Sequence, residues 1–142
     1  MKIVLYFFVI LGILVVAAIV YVRVTSLNAG QLRAYAGKGP DTLGDHVTPG
    51  GIKAVRAAVT DAQFDALLAA VAASDRTLAV ESDAHAQVFV TRSKLWGFPD
   101  VATIWRDGET LHVHSHLVYG KADLGVNAAR VRRWLASAGI DA

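Results

Sequence analysis

The sequence contains no cysteine, a single methionine and three prolines in 142 residues. Without thiols there is neither a disulfide framework nor a thiolate metal site, so stability must come from packing and any metal ligand from nitrogen or oxygen. Charge is scarce at 18% of residues, and the formal net charge of +2 is too small to imply nucleic acid as a partner. The short motifs of familiar enzymes are missing as well: no phosphate-binding loop, no Gly-x-Ser-x-Gly and no His-Glu-x-x-His. Ser115 stands between two histidines, but adjacent strand residues face opposite ways and cannot act together as nucleophile and base. These gaps point to a non-enzymatic protein.

The scarcity of charge is concentrated at one end. From Ile3 to Val22 the chain has no charged residue and no Asn, Gln, His or Pro. As a helix rising about 1.5 Å per residue, this run spans roughly 30 Å, the thickness of a bilayer's hydrocarbon core. Tyr6 and Tyr21 fall towards its two ends, where amphipathic rings suit the lipid–water boundary. The run exceeds the usual apolar region of a cleaved signal peptide, about 7–15 residues, and no clean Ala-x-Ala site follows it. It predicts an uncleaved anchor within residues 1–26 that contacts the lipid bilayer through residues 3–22. Lys2 and the N-terminal amine lie before the run, and Arg23, Arg33 and Lys38 after it, so positive-inside counting favours a cytoplasmic C-terminal domain.

Residues 27–51 are poor in large apolar side chains and rich in Gly and Pro, which predicts a tether with room to lie along the domain. The remainder, residues 52–142, predicts one soluble domain. Thr60-Asp61-Ala62-Gln63 has the form of a capping box, and Phe64, Leu67, Leu68 and Val71 then recur on one helical face, giving a helix over 61–73. Strand-like runs cover Thr77–Glu81 and His85–Thr91, with Ser82-Asp83-Ala84 as a turn. Val101–Arg106 and Glu109–Leu117 flank Asp107-Gly108, a two-residue hairpin signal that would pair Arg106 with Glu109, Thr103 with His112 and Val101 with His114. A last helix, capped by Asn127 and ended by Gly139, carries Val131, Trp134, Leu135 and Ala138 on one face. Arg130, Arg132 and Arg133 read as its solvated side rather than as a patch for anionic lipid or a partner. A strand near Ile52–Val59 is expected to add an edge. The fold class is therefore α+β: a single N-terminal transmembrane helix followed by a small two-layer domain of antiparallel sheet packed on two helices.

Three local patterns bear on function. His112, His114 and His116 alternate along one strand and share a face with Val101, Thr103 and Trp105, and His85 could approach it. Such imidazoles fit a zinc or copper site or a pH-responsive surface, whereas a half-exposed histidine-bearing face is the commoner outcome of the pattern. The segment Arg92–Asp100 places Trp96 and Phe98 beside Lys94, Gly97 and Pro99, an aromatic loop that either covers the core or contacts a membrane or partner. In the segment Gly120–Asn127, Asp123 and Asn127 are expected to satisfy backbone groups of a turn and cap rather than to hold a ligand.

Thr91–Asp100 and Gly120–Arg130, taken together, resemble a family known as domain of unknown function 1499, found in bacteria and plastids. The resemblance covers roughly residues 60–138. It implies that Gly97, Asp100, Gly120, Asp123, Gly125, Asn127 and Arg130 are motif residues, for which structural roles are expected. It brings no activity, ligand or cofactor. Such proteins often carry an N-terminal anchor and many lie outside the cytoplasm, so the resemblance implies a single-pass protein of the bacterial inner membrane with a periplasmic domain, against the charge count. The chain departs from the family in carrying His112, His114 and His116 where members favour Arg and Ser, and in lacking a Ser-Pro-Asn-Cys-like segment. The leading expectation is an anchored accessory domain docking on a larger membrane protein assembly. Lipid or small hydrophobic ligand binding and metal binding are the alternatives.

Overall fold

In the computed structural model, residues 2–33, 38–82 and 86–140 are described. The turn expected at Ser82-Asp83-Ala84 falls partly outside these residues, as does His85. The apolar run forms α1 (Lys2–Val24), a helix long and apolar enough to cross a membrane, and none of its side chains is buried. A short helix, α2 (Ala29–Arg33), follows. The domain then runs β1 (Gly44–Thr48), β2 (Gly51–Arg56), α3 (Asp61–Ala72), β3 (Thr77–Ser82), β4 (Gln87–Arg92), β5 (Pro99–Asp107), β6 (Thr110–Leu117) and α4 (Val126–Ser137).

The strands make one six-stranded antiparallel sheet in the order β1-β2-β6-β5-β4-β3. Alternation sorts its residues. Ile52, Ala54, Phe89, Ala102, Ile104, Leu111 and Val113 point to one face, where they meet Leu67 and Val71 of α3 and Val131, Trp134 and Leu135 of α4. Each large aliphatic side chain buried there contributes about 1.5–3 kcal/mol. The capping box of α3 is formed: Gln63 N–H donates to Thr60 Oγ1 and Thr60 N–H donates to Gln63 Oε1. Trp134 Nε1 donates to Ser74 Oγ across 2.6 Å, tying the end of α3 to the middle of α4.

Three expectations need correction. Residues 27–51 are not simply a tether. Leu27 and Leu32 pack on Val88, Val90 and Val101, covering part of the sheet's second face, and residues 44–48 form the edge strand β1. Gly44-Asp45-His46-Val47-Thr48 has a single large apolar side chain, so its strand character comes from pairing with β2 and from Asp45, which bonds Arg56 and Arg132 at 2.6 and 2.7 Å. Burial works to raise the Asp45 carboxyl, but the two guanidinium groups outweigh it and hold the group below the usual carboxylate range. The strand near Ile52–Val59 is β2, and it lies inside the sheet between β1 and β6 rather than at an edge.

The β5–β6 turn is also one residue later than expected. Asp107 pairs with Thr110 around Gly108-Glu109, so Trp105 faces His112, Thr103 faces His114 and Val101 faces His116. The shift moves each pair by two, which preserves the face every side chain occupies. At the other end of β6, Gly51 lies so close to the strand that a Cβ there would strike the carbonyl oxygen of Ser115. Gly51→Ala is therefore expected to destabilise the domain by about 1–3 kcal/mol or more, read as a lower denaturant midpoint, while Gly108→Ala, whose site is open, should cost less.

Candidate functional site

The β4–β5 loop closes on itself. Ser93 N–H donates to Phe98 O, Gly97 N–H to Ser93 O and Phe98 N–H to Ser93 Oγ. The ring of bonds turns Leu95, Trp96 and Phe98 outward: Trp96 and Phe98 are 45% and 42% exposed, and their rings stack at 6.5 Å. Tyr119, just after β6, extends the patch, 6.4 Å from Phe98. Leu124 and Val126 are exposed near the same end of the sheet, where Asp123 N–H bonds Pro49 O.

This end of the domain is also where α1 arrives. Arg23 donates to the carbonyls of Lys94 and Leu95, at 2.8 and 3.1 Å. Arg92 donates to Val22 O, Thr25 O and Gly97 O, all within 3.0 Å. The last carbonyls of a helix lack intrahelical partners and carry its negative dipole end, so a guanidinium is well matched to them. Gly97, at φ +76°, passes so near Arg23 that any Cβ would collide with that side chain. Arg92 lies in the family-like segment and Arg23 enters the charge count, but neither pairing is legible in the sequence, because the partners lie about seventy residues away.

The second motif builds the entry to α4. Asp123 accepts from the N–H groups of Gly125 and Asn127 at 2.9 and 2.8 Å. Burial works to raise its carboxyl, but those bonds outweigh it and hold the group below the usual range. Asn127 is not the cap: Gly125 holds that position in a left-handed conformation, with Gly120 also at positive φ. Asn127 lies in the first turn, completely buried, and its Oδ1 accepts from Ser115 Oγ at 2.6 Å and from Arg130 at 3.1 Å. Arg130 reaches Asp100 Oδ2 at 3.0 Å, at the start of β5. Burial pushes the Asp100 carboxyl up, more than Arg130 and Asn127 pull it down. The expected solvated basic side of α4 is thus only partly solvated, since Arg130 and Arg132 are both engaged with aspartates.

The histidines share the sheet's second face as expected, though not as an exposed surface. His112 and His116 are buried, and Lys53, itself buried, stands between the β6 histidines and His46 of β1. Lys53 Nζ meets Asp41 at 2.6 Å and lies over the Trp105 ring, which stacks on His112 at 4.9 Å. A fixed cation among the imidazoles disfavours a bound dication, and among the described residues no group of three or more His, Asp or Glu is arranged to hold a metal ion. Burial pushes His116 down to about 4, with His114 adding to the effect, and burial and then Lys53 lower His112.

The fold and this end of the sheet define a class: a small α+β domain whose aromatic loop and helix-entry motif meet the end of a long apolar helix. The chain belongs to the family described as protein of unknown function (DUF1499), whose sequence pattern matches residues 41–137. No curated protein and no solved structure matches it.

Asp123→Ala leaves two backbone donors without their acceptor and is expected to cost about 1–3 kcal/mol. Because the folded carboxyl titrates below its unfolded value, this contribution is present above about pH 4 and lost as the pH falls through the folded value. His116 acts earlier. The unfolded imidazole takes a proton below about pH 6.5, whereas the folded one resists until about 4, so stability should fall as pH drops through that window. Urea denaturation between pH 7 and 4 should show this slope, and His116→Gln should flatten it. His112, lowered too, adds to that slope, and Asp100, whose carboxyl is raised, opposes it.

Proposed function

We propose that the protein is a non-enzymatic, membrane-anchored accessory domain: α1 crosses a bacterial inner membrane uncleaved, and the domain docks on a larger integral membrane assembly from the periplasmic side. The observation that carries this reading is the position of the exposed apolar side chains. Leu95, Trp96, Phe98 and Tyr119 gather where α1 joins the domain, at the height of the lipid–water boundary if α1 spans the bilayer. Aromatic side chains are enriched in the buried centres of protein interfaces, and a domain held beside the bilayer meets membrane partners at a high effective concentration. The Arg23 and Arg92 bonds support an anchor retained in the mature protein, because cleavage after α1 would remove Arg23 from the carbonyls of Lys94 and Leu95 and take Val22 O away from Arg92. The periplasmic side follows the family likeness rather than the charge count around α1.

The test is site-specific photocrosslinking of the full-length chain in its native membrane. A probe at Trp96 or Phe98 should give a discrete adduct with a protein that itself resists alkaline carbonate extraction. A probe at Asp107, at the far end of β5 and roughly 25 Å away by strand rise, should give none. Equal labelling from both ends, or no protein adduct from the aromatic loop, would sink the docking role. Protease added to spheroplasts should digest the domain, and protection until lysis would place it in the cytoplasm.

A further inference from the structure

A cleft of about 610 Å³ opens between the end of α3, the outer side of α4 and the β4–β5 loop. Arg76, Arg92, Lys94, Arg130 and Arg133 line it, against Asp75 and Asp100, so five cationic groups face two acids. Arg130 is committed to Asp100, and Arg92 to the carbonyls at the end of α1. The other three have no buried ion pair, and Arg76 keeps its two terminal nitrogens for a ligand. Arg76 donates from Nε to Arg92 O at 3.1 Å, and its terminal nitrogen lies 3.7 Å from an Asp75 that is almost wholly exposed, a pairing of little strength in water. Lys94 and Arg133 are exposed, and neither side chain makes a hydrogen bond or ion pair with the described residues.

On the other side of Arg76 and Arg92 lies a second concavity, a groove of about 440 Å³. Its walls are largely apolar, with Leu27 and Leu32 on one side and Leu78, Val80 and Val90 on the other. Leu78 and Val80 belong to the outer strand β3, and Leu78 is 69% exposed. Arg76 and Arg92 line both concavities, so a cationic cleft and an apolar groove meet at one pair of arginines beside the end of α1. A soluble phosphate compound would use the first and leave the second empty. A phospholipid has both parts.

We propose that this site binds one anionic phospholipid, its phosphate held by Arg76, Lys94 and Arg133 and an acyl chain laid along Leu78 and Val80. Guanidinium groups match phosphate oxygens in a two-bond geometry that a lone ammonium cannot offer. The Arg92 clasp to α1 holds the site next to the headgroup layer. The proposal rests on the membrane-anchored part of the reading above, but needs no partner protein. The ligand chemistry it shares with its nearest rival is the phosphate anion, and the acyl groove distinguishes them.

Full-length protein in neutral detergent micelles is titrated with dihexanoyl phosphatidylglycerol, dihexanoyl phosphatidylcholine and inorganic phosphate, with binding read by thermal shift and native mass. Phosphatidylglycerol should bind saturably, and phosphatidylcholine and phosphate roughly tenfold more weakly or less, since each basic group near a membrane surface adds about fivefold in affinity. The double variant Arg76→Glu, Arg133→Glu should weaken phosphatidylglycerol by roughly tenfold or more. Lys121→Glu, the same charge reversal outside the cleft, should leave it unchanged. Lys94→Glu, in an exposed loop, carries the test should the double variant fold poorly. Leu78→Asn should weaken phosphatidylglycerol but not phosphate. Equal binding of the two lipids, or reversal variants that bind like the parent, overturns the proposal. So does a loss shared by Lys121→Glu, which would reduce the effect to overall charge. Phosphate that binds as tightly as the lipid, unaffected by Leu78→Asn, would assign the cleft to a soluble phosphate compound instead. Because only purified protein and lipid are present, failure here leaves the crosslinking result standing, and the reverse holds too.

Discussion

The arrangement turns on a single guanidinium. Arg92 ends β4 and reaches Val22 O and Thr25 O at the finish of α1 while also holding Gly97 O in its own loop. A half-buried cation without a carboxylate would ordinarily be costly, but here carbonyl oxygens and the negative end of a helix surround it. Arg23 answers from the helix side, donating to Lys94 O and Leu95 O. The two arginines thus join a long apolar helix to a folded domain by hydrogen bonds to backbone, which fixes direction as well as proximity. Every surface near that joint, the aromatic patch and the basic cleft alike, takes its orientation from it.

The sheet's second face shows how one alternation serves two surroundings. Near β4 and β5 the face is apolar, and Leu27 and Leu32 cover it. Near β2 and β6 it carries Lys53 and the histidines, and Asp41 lies over it. A buried lysine is tolerable only with partners, and Lys53 has Asp41, Gly39 O and the Trp105 ring. Leu27 and Leu32, over the apolar part, and Asp41, over the polar part, are therefore part of the domain's cover.

Much of this was legible in the residues. The charge-free run, the Thr60–Gln63 capping box and the Val131–Trp134–Leu135 stripe are local signals, and each sits in the element it predicts. The histidine face was right even though the turn was one residue out, because a shift of two in pairing leaves alternation intact. What escaped were features set by distant partners. Strand β1 has almost no apolar pattern and depends on β2 and on Arg132 from the last helix. Lys53 gave no hint of burial, and the motif residue Arg92 gave no hint that its partners are carbonyls at the end of α1.

The cap of α4 shows the same limit at shorter range. A polar residue before an apolar stripe suggests an N-cap, and Asn127 fits that pattern. Asp123 already does the work from two residues before the cap, since its two oxygens reach the N–H groups of Gly125 and Asn127. An aspartate there also suits the positive end of the helix dipole, which an asparagine cannot match. With its backbone donor satisfied, Asn127 is free to turn inward, where it accepts from Ser115 on the sheet and from Arg130 one turn on. Arg130 in turn holds Asp100 at the mouth of the aromatic loop. The two segments by which the family was recognised are thus one bonded unit. It sets α4 against the sheet and, with Asp100 and Arg130, forms a wall of the basic cleft. A structural role for these residues and a binding role for the surface they shape are therefore consequences of the same bonds.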